Sequence, residues 1–487
     1  MTAPAQNGLR GAANAKIPAC QHFVRPKARR MRCLVAFALL ALAAPSLAFA
    51  DPADPTDQQM LRRIYDAALD HSPAYEQLRI LTEEFPGRLA GTAAYDGAAH
   101  WSIALLQQLG CDRTELQPVT VPSWERGAPE SVQLLRGDDI IPLAALALGG
   151  SVATPPDGLT ASIVELPNVA ALTTTDVRGK IVFFNGPMNP TYVNTGRAYS
   201  EAGAQRNRGP AEAARHGAIA VVVRSLTHAL DDEPHTGSTT YLPDVPRIPA
   251  AAISTVAAER LSATLAADPA AQLKIMINSQ WLPDAPSANV IGEIRGSEFP
   301  EQIILVGGHL DSWDITPGAH DDGSGCIQSI DVLRILKAVG YQPRYTIRCV
   351  LFTNEENGLR GALEYARIAG DKKEHHALAL ETDSGGFRPS GFNLGNAAGD
   401  AHLKAARWKS LFEPYGIFQF QAGRGGADVG PLMAKGNTVA GLMPDSQRYF
   451  DYHHTRADSI DKVNRRELEL GAAAMAALVY LVDRHGL

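Results

Sequence analysis

Ile303-Ile304-Leu305-Val306-Gly307-Gly308-His309-Leu310-Asp311 is the stretch on which the fold turns. Four branched aliphatic residues in a row read as a strand buried on both faces, because a half-exposed strand would alternate apolar with polar. Two glycines end the run, and an imidazole and a carboxylate follow at once. The same pattern recurs downstream. Tyr345–Thr353 is an apolar strand followed by Asn354-Glu355-Glu356-Asn357-Gly358, and the run Ala377–Leu380 leads into Glu381-Thr382-Asp383. A further strand is expected over Asn289–Ile294. Helical periodicity fills the intervals, over Cys326–Val339, Gly358–Ile368, Ala401–Tyr415 and Arg465–Arg484. Strands alternating with helices predict an α/β fold, a sheet flanked by helices on both faces.

In such sheets ligands bind beyond the carboxyl ends of the strands. Each of these ends carries a residue able to bind a metal. Between the first two strands lies Gly318-Ala319-His320-Asp321-Asp322-Gly323, and near the end of the chain lies Tyr452-His453-His454-Thr455-Arg456-Ala457-Asp458. The candidate ligands are His309, Asp321, one of the pair Glu355 and Glu356, Asp383, and one of the pair His453 and His454. They are imidazoles and carboxylates with no thiolate, a set that suits zinc, cobalt or manganese, of which zinc is the commonest. Two imidazoles and three carboxylates exceed what one catalytic zinc takes, and fit two ions that share a carboxylate. Asp311, two residues past His309, is expected to accept from the imidazole nitrogen that faces away from the metal. The adjacent Glu355 and Glu356 point in different directions, so one can bind metal while the other takes a proton from the attacking water.

Singly, each feature has an ordinary structural reading. A lone histidine at a strand end is usually structural, Glu-Glu pairs are mostly solvated, and Asp-Asp-Gly makes turns. Their convergence on one sheet edge favours a metal site. His320 is expected to be structural, His375 and His376 to lie exposed in a polar loop, and His216 and His235 to lack acidic neighbours. His453 stands as a competitor to His454.

The chain has 487 residues and a formal charge of -7, so it can bury a large core and offers no basic field to nucleic acid. Arg29, Arg30 and Arg32 precede the apolar run Cys33–Ala44, and Ala48-Phe49-Ala50 ends in small residues. Residues 1–50 therefore read as a signal peptide with its upstream residues, cleaved before Asp51, which predicts a secreted or periplasmic protein. No later run is long enough for a membrane helix. Cys111, Cys326 and Cys349 remain after cleavage and allow at most one internal disulfide. Residues 51–129 and 284–487 read as two parts of one domain. Residues 130–283 read as an inserted β-rich domain with one prominent helix, Gly209–His216. Thermolysin-type, nucleophile-elbow, phosphate-loop and dinucleotide motifs are absent.

At Gly308–Asp314, Gly318-Ala319, Asp321-Asp322-Gly323 and Glu355-Glu356, the chain resembles the co-catalytic two-zinc peptidases that include bacterial leucyl aminopeptidase and glutamate carboxypeptidase. The inserted segment is similar to a protease-associated domain at His235-Thr236-Gly237 and Val245–Pro249. The resemblance spans essentially the whole chain after the signal. It implies the zinc exopeptidase fold, Zn2+ at two ions per chain, dipeptide or short peptide substrates, and it allows a homodimer. It implies Asp321 as the bridge between the ions, Glu355 as the general base and Glu356 as the adjacent ligand. It favours His454, four residues before Asp458, over His453. Hydrolysis would proceed through a hydroxide bridging the zincs. One departure is Val429 after Asp428, where many relatives have histidine, a position that bears on substrate contacts. The rival readings are a glutaminyl-cyclase-like acyltransferase with a single zinc and a non-catalytic binding protein on a peptidase fold. The complete ligand set argues against both.

Overall fold

Buried branched residues fix the centre of the molecule. The computed structural model describes residues 55–487; the signal peptide expected over residues 1–50 lies outside the described residues. In chain order the strands are β1 (Arg113–Glu125), β2 (Ser131–Arg136), β3 (Asp139–Leu143), β4 (Ala145–Ala147), β5 (Leu159–Leu166), β6 (Ile181–Phe184), β7 (Ala220–Arg224) and β8 (Ala250–Ile253). They continue as β9 (Gln272–Met276), β10 (Gln280–Ile294), β11 (Phe299–His309), β12 (Tyr345–Phe352), β13 (His375–Glu381), β14 (Pro389–Gly395), β15 (Gln419–Ala422) and β16 (Val439–Pro444).

One sheet has the order β1-β10-β12-β11-β13-β16-β14-β15. Its centre, β12, β11, β13 and β16, is parallel; β1 with β10, β10 with β12 and β14 with β16 pair antiparallel, and β15 runs parallel to β14. The stretch Ile303–Val306 behaves as its composition demands. Ile304 and Val306 join one apolar cluster, with helices Ser324–Ala338 and Arg465–His485, while Ile303 and Leu305 join another, with helix Arg360–Asp371. Successive side chains point to opposite faces, and both faces are covered. Helix Arg465–His485 is buried from Gly471 to Asp483 and begins at Asn464, whose side chain accepts from the N–H groups of Arg466 and Glu467.

A second sheet, β3-β2-β9-β5-β6-β7-β8-β4, is drawn entirely from Ser131–Met276 and has its own apolar clusters. The expected helix is present as Gly209–Arg215, but helices Thr195–Ala202 and Thr255–Ala267 accompany it, so this segment is more helical than its β-rich reading. The two chain crossings between the sheets are paired. β1 and β10 form one antiparallel ribbon from Arg113↔Glu293 to Glu125↔Gln280.

Other expectations are corrected. The single helix expected over Ala401–Tyr415 is a succession of short turns, ending where Pro414 cannot donate and Gly416 adopts φ 81. β14 and β16 escape sequence reading because Pro389, Gly391, Gly395, Gly441 and Pro444 disfavour strands locally. His376 is buried in β13 and hydrogen-bonded to the Tyr365 hydroxyl, rather than exposed, because the polar stretch starts a strand; His375 is exposed as expected. Cys111, Cys326 and Cys349 are free, and no described helix is long and apolar enough to cross a membrane.

Candidate metal centre

From the end of β11 the chain passes through helix Ser324–Ala338 to β12 on one side, then through helix Arg360–Asp371 to β13 on the other. A crevice forms at such a reversal of strand order. His309 is the last residue of β11, Glu355 and Glu356 follow β12, and Asp383 stands just beyond β13. Asp321 comes from the loop Ala319–Gly323, and His454 from the turn after helix Tyr449–Tyr452, beyond β16.

These five side chains converge. His309 Nε2 lies 3.3 Å from Asp321 Oδ1 and 3.6 Å from Asp383 Oδ1. His454 Nε2 lies 3.2 Å from Asp321 Oδ2 and 3.0 Å from Glu356 Oε2. Each imidazole nitrogen meets two carboxylates, and Asp321 offers one oxygen to each set. Donors on a tetrahedral zinc, bonded at about 2.0–2.1 Å, stand roughly 3.3 Å apart. The four distances from the imidazole nitrogens to the carboxylates lie near that spacing. Asp321 Oδ2 and Glu356 Oε1 are buried without a hydrogen-bond partner, a costly arrangement that a cation would relieve. His453 Nε2 is 3.5 Å from Asp321 Oδ2, and its ring stacks on His454 with centroids 3.5 Å apart. It reaches one carboxylate where His454 reaches two.

The expected contact between the Asp311 carboxylate and His309 is not the one made. His309 Nδ1 lies 2.9 Å from the Asp311 backbone carbonyl oxygen, while Oδ1 is 3.9 Å away. β11 stops at His309, so the strand rule that places residues two apart on one face no longer holds at Asp311. The Asp311 carboxylate instead accepts the backbone N–H groups of Glu355 at 3.2 Å and Glu356 at 3.3 Å. Two further carboxylates work the same way. Asp322 accepts from the N–H groups of His309 and Gly325, both at 3.0 Å. Asp458 accepts from those of His320 at 2.7 Å and Asp321 at 3.0 Å. His320 is structural as expected: it stacks on Phe387, accepts from the Gly386 N–H, and is held neutral by burial at about 4.

The crevice opens into a cavity of about 740 Å³ lined by Asp321, Glu355, Glu356, Asp383, His453 and His454. Burial, opposed by His309 and reinforced by the carboxylates of Asp383, Glu356 and Asp311, holds Glu355 well above the usual carboxyl range. A carboxylate so placed gains from taking up a proton. Sequence reasoning missed Tyr199 and Arg206 on the cavity wall, and Tyr449, whose hydroxyl donates to Asp383 Oδ1 at 3.4 Å. No local signal marks them, since Tyr199 and Arg206 belong to the segment of the second sheet. Val429, the departure noted in the sequence, is buried in an apolar cluster with Leu432 and Val439, and its N–H donates to Glu381 Oε2.

Residues 289–479 match peptidase family M28. The crystal structure of a peptidase M28 precursor from Shewanella amazonensis SB2B superposes with a TM-score of 0.83 at 35% identity, covering 88% of this chain and 97% of that one. The chain belongs to peptidase family M28 and is a metallo-exopeptidase. Among its relatives is carboxypeptidase Q: the Homo sapiens protein is 34% identical over 421 residues, 86% of each chain. Aminopeptidase YwaD of Bacillus subtilis is 27% identical and covers 84% of each chain. BSAP, a zinc aminopeptidase from Bacillus subtilis, shares the fold, with a TM-score of 0.60 at 23% identity over 84% of this chain and 94% of that one.

Proposed function

We propose that this chain is an exported two-zinc exopeptidase acting on dipeptides or short peptides. His309, Asp321 and Asp383 would hold one ion, and Asp321, Glu356 and His454 the other. One observation carries the reading: two imidazole nitrogens are each flanked by two carboxylate oxygens at 3.0–3.6 Å, and one aspartate serves both sets. Bound there, zinc would supply Lewis acidity toward the scissile carbonyl and make water acidic enough to ionise near neutral pH.

The chain's own residues do the rest. Glu355 lines the cavity and is predisposed to protonation, so it accepts the proton of the attacking water and passes it to the departing amine. Asp311 fixes the backbone of both glutamates, which both line the cavity, and Glu356 there meets His454. The relatives' names point to both ends of a peptide, and a dipeptide presents both. Export rests on the basic and apolar pattern of residues 29–50. Residues 130–283 are read as an inserted domain, a reading supported by their separate sheet and cores.

The test is to measure zinc per chain and to assay free dipeptides with and without a chelator. About two zincs and chelator-sensitive hydrolysis are expected. One zinc with pyroglutamate formation would overturn the reading in favour of an acyltransferase.

A further inference from the structure

The turn that carries His453 and His454 is gripped by a segment from the second sheet. His235-Thr236-Gly237 lies between β7 and β8. The Thr236 N–H donates to the His454 carbonyl oxygen at 3.1 Å, and His454 Nδ1 lies 3.2 Å from the Thr236 carbonyl oxygen. His235 Nδ1 lies 2.8 Å from the His453 carbonyl oxygen. A carbonyl oxygen only accepts, so in this pairing the proton of a neutral His454 sits on Nδ1. Nε2 then keeps its lone pair toward Asp321 and Glu356. His454 has φ 64, in the left-handed region that side chains other than glycine rarely adopt. Such a conformation persists where neighbours fix it on several sides.

The gripping segment has little slack of its own. Thr236 is fully buried, and its hydroxyl donates to the Ala147 carbonyl oxygen at 2.8 Å. The Gly237 carbonyl accepts from the Gly149 N–H at 3.0 Å. Gly237 has φ +135, and a Cβ there would come within 2.5 Å of Arg206 Cζ. On the other flank a Cβ at Gly149 would come within 1.8 Å of the Trp313 ring, which meets the His454 ring edge-on at a centroid distance of 5.8 Å. The imidazole is therefore bounded by Trp313, His453 and the Thr236 carbonyl.

We infer that Thr236 is a positioning residue for metal binding: its carbonyl fixes the tautomer and ring orientation of His454, and Gly237 permits the close approach this requires. The inference rests on the proposed reading of His454 as a zinc ligand. It makes the segment of the second sheet part of the metal centre, and not merely a wall of the cavity. Loss of such an outer partner typically costs 10–100-fold in metal affinity.

The test is a zinc titration of the purified protein against a chromophoric chelator. Thr236→Val removes the anchor to Ala147 at nearly constant shape, Thr236→Ser keeps it, and Gly237→Ala forces the segment away from Arg206. Thr236→Val and Gly237→Ala are expected to weaken one of two zincs about 10–100-fold and leave the other unchanged, with Thr236→Ser close to the parent. Circular dichroism identifies a variant that fails to fold; if Gly237→Ala fails, the Thr236→Val and Thr236→Ser pair decides. Parent-like affinity for both ions in Thr236→Val, or equal weakening of both, would overturn the inference. His454→Ala is the control. Loss of one zinc in it supports the ligand assignment, and retention of both removes the assignment itself.

Discussion

Glu355 and Glu356 are neighbours in sequence that line one cavity with different partners. Glu356 Oε2 is 3.0 Å from His454 Nε2, whereas Glu355 stands amid Asp383, Glu356 and Asp311. The proposed division of labour follows from those surroundings. Glu355→Gln keeps the size and removes the basicity, so zinc content should be unchanged while kcat falls about 10²–10⁴-fold, the usual contribution of a general base. Metal analysis beside steady-state kinetics on one dipeptide checks this. The sequence alone shows that both glutamates follow the strand. It does not show which faces the metal, because that depends on Asp311, 44 residues earlier, taking both of their N–H groups.

At the scale of elements, the candidate metal centre is an assembly of loops pinned by carboxylates that accept backbone N–H groups. Asp458 is the clearest case. It is fully buried and accepts two backbone N–H groups from the loop Ala319–Gly323, which carries Asp321. Asp458→Ala would leave both donors buried and unpaired, at a cost of about 3 kcal/mol, since each orphaned donor costs roughly 1–3 kcal/mol. The variant should also bind zinc more weakly, because Asp321 is offered to both imidazoles. Urea unfolding with and without chelator separates the two effects: a loss of stability in both conditions with unchanged zinc affinity would show that the loop holds Asp321 by other means. Sequence spacing uses Asp458 only as a marker for His454. Its hydrogen bonds cross 137 and 138 residues and have no local trace.

Across the whole molecule, burial of neutral histidines ties stability to pH. Burial, with help from the Arg348 charge, lowers His376 to about 3, while an unfolded histidine titrates near 6.5. Above pH 6.5 both states are neutral there and the stability is complete. As pH falls from 6.5 toward 3 the unfolded chain takes a proton that the folded chain refuses, so stability is lost. At pH 5 the loss is about 2 kcal/mol. His376→Gln is neutral throughout and can still accept from Tyr365, so its stability difference between pH 7 and pH 5 should be smaller than the parent's by about that amount. Urea unfolding at the two pH values measures it, and equal slopes for both proteins would show that His376 protonates freely in the folded state.

The α/β class, the strands that lead to His309 and Asp383, and the gathering of imidazoles and carboxylates at one sheet edge were legible in the sequence. Each rests on local features: apolar runs such as Ile303–Val306 can only be satisfied between two covered faces, and ligand side chains at strand ends are displayed by the strand itself. Tertiary structure decided what depends on distant partners. It placed β14 and β16 in the sheet despite their glycines and prolines, buried His376, and moved the Asp311 carboxylate from His309 to the glutamate backbone. It also brought Thr236, more than 200 residues away, against His454. A hydrogen bond between remote segments costs the sequence only a backbone carbonyl, which every residue has, so no residue type announces it.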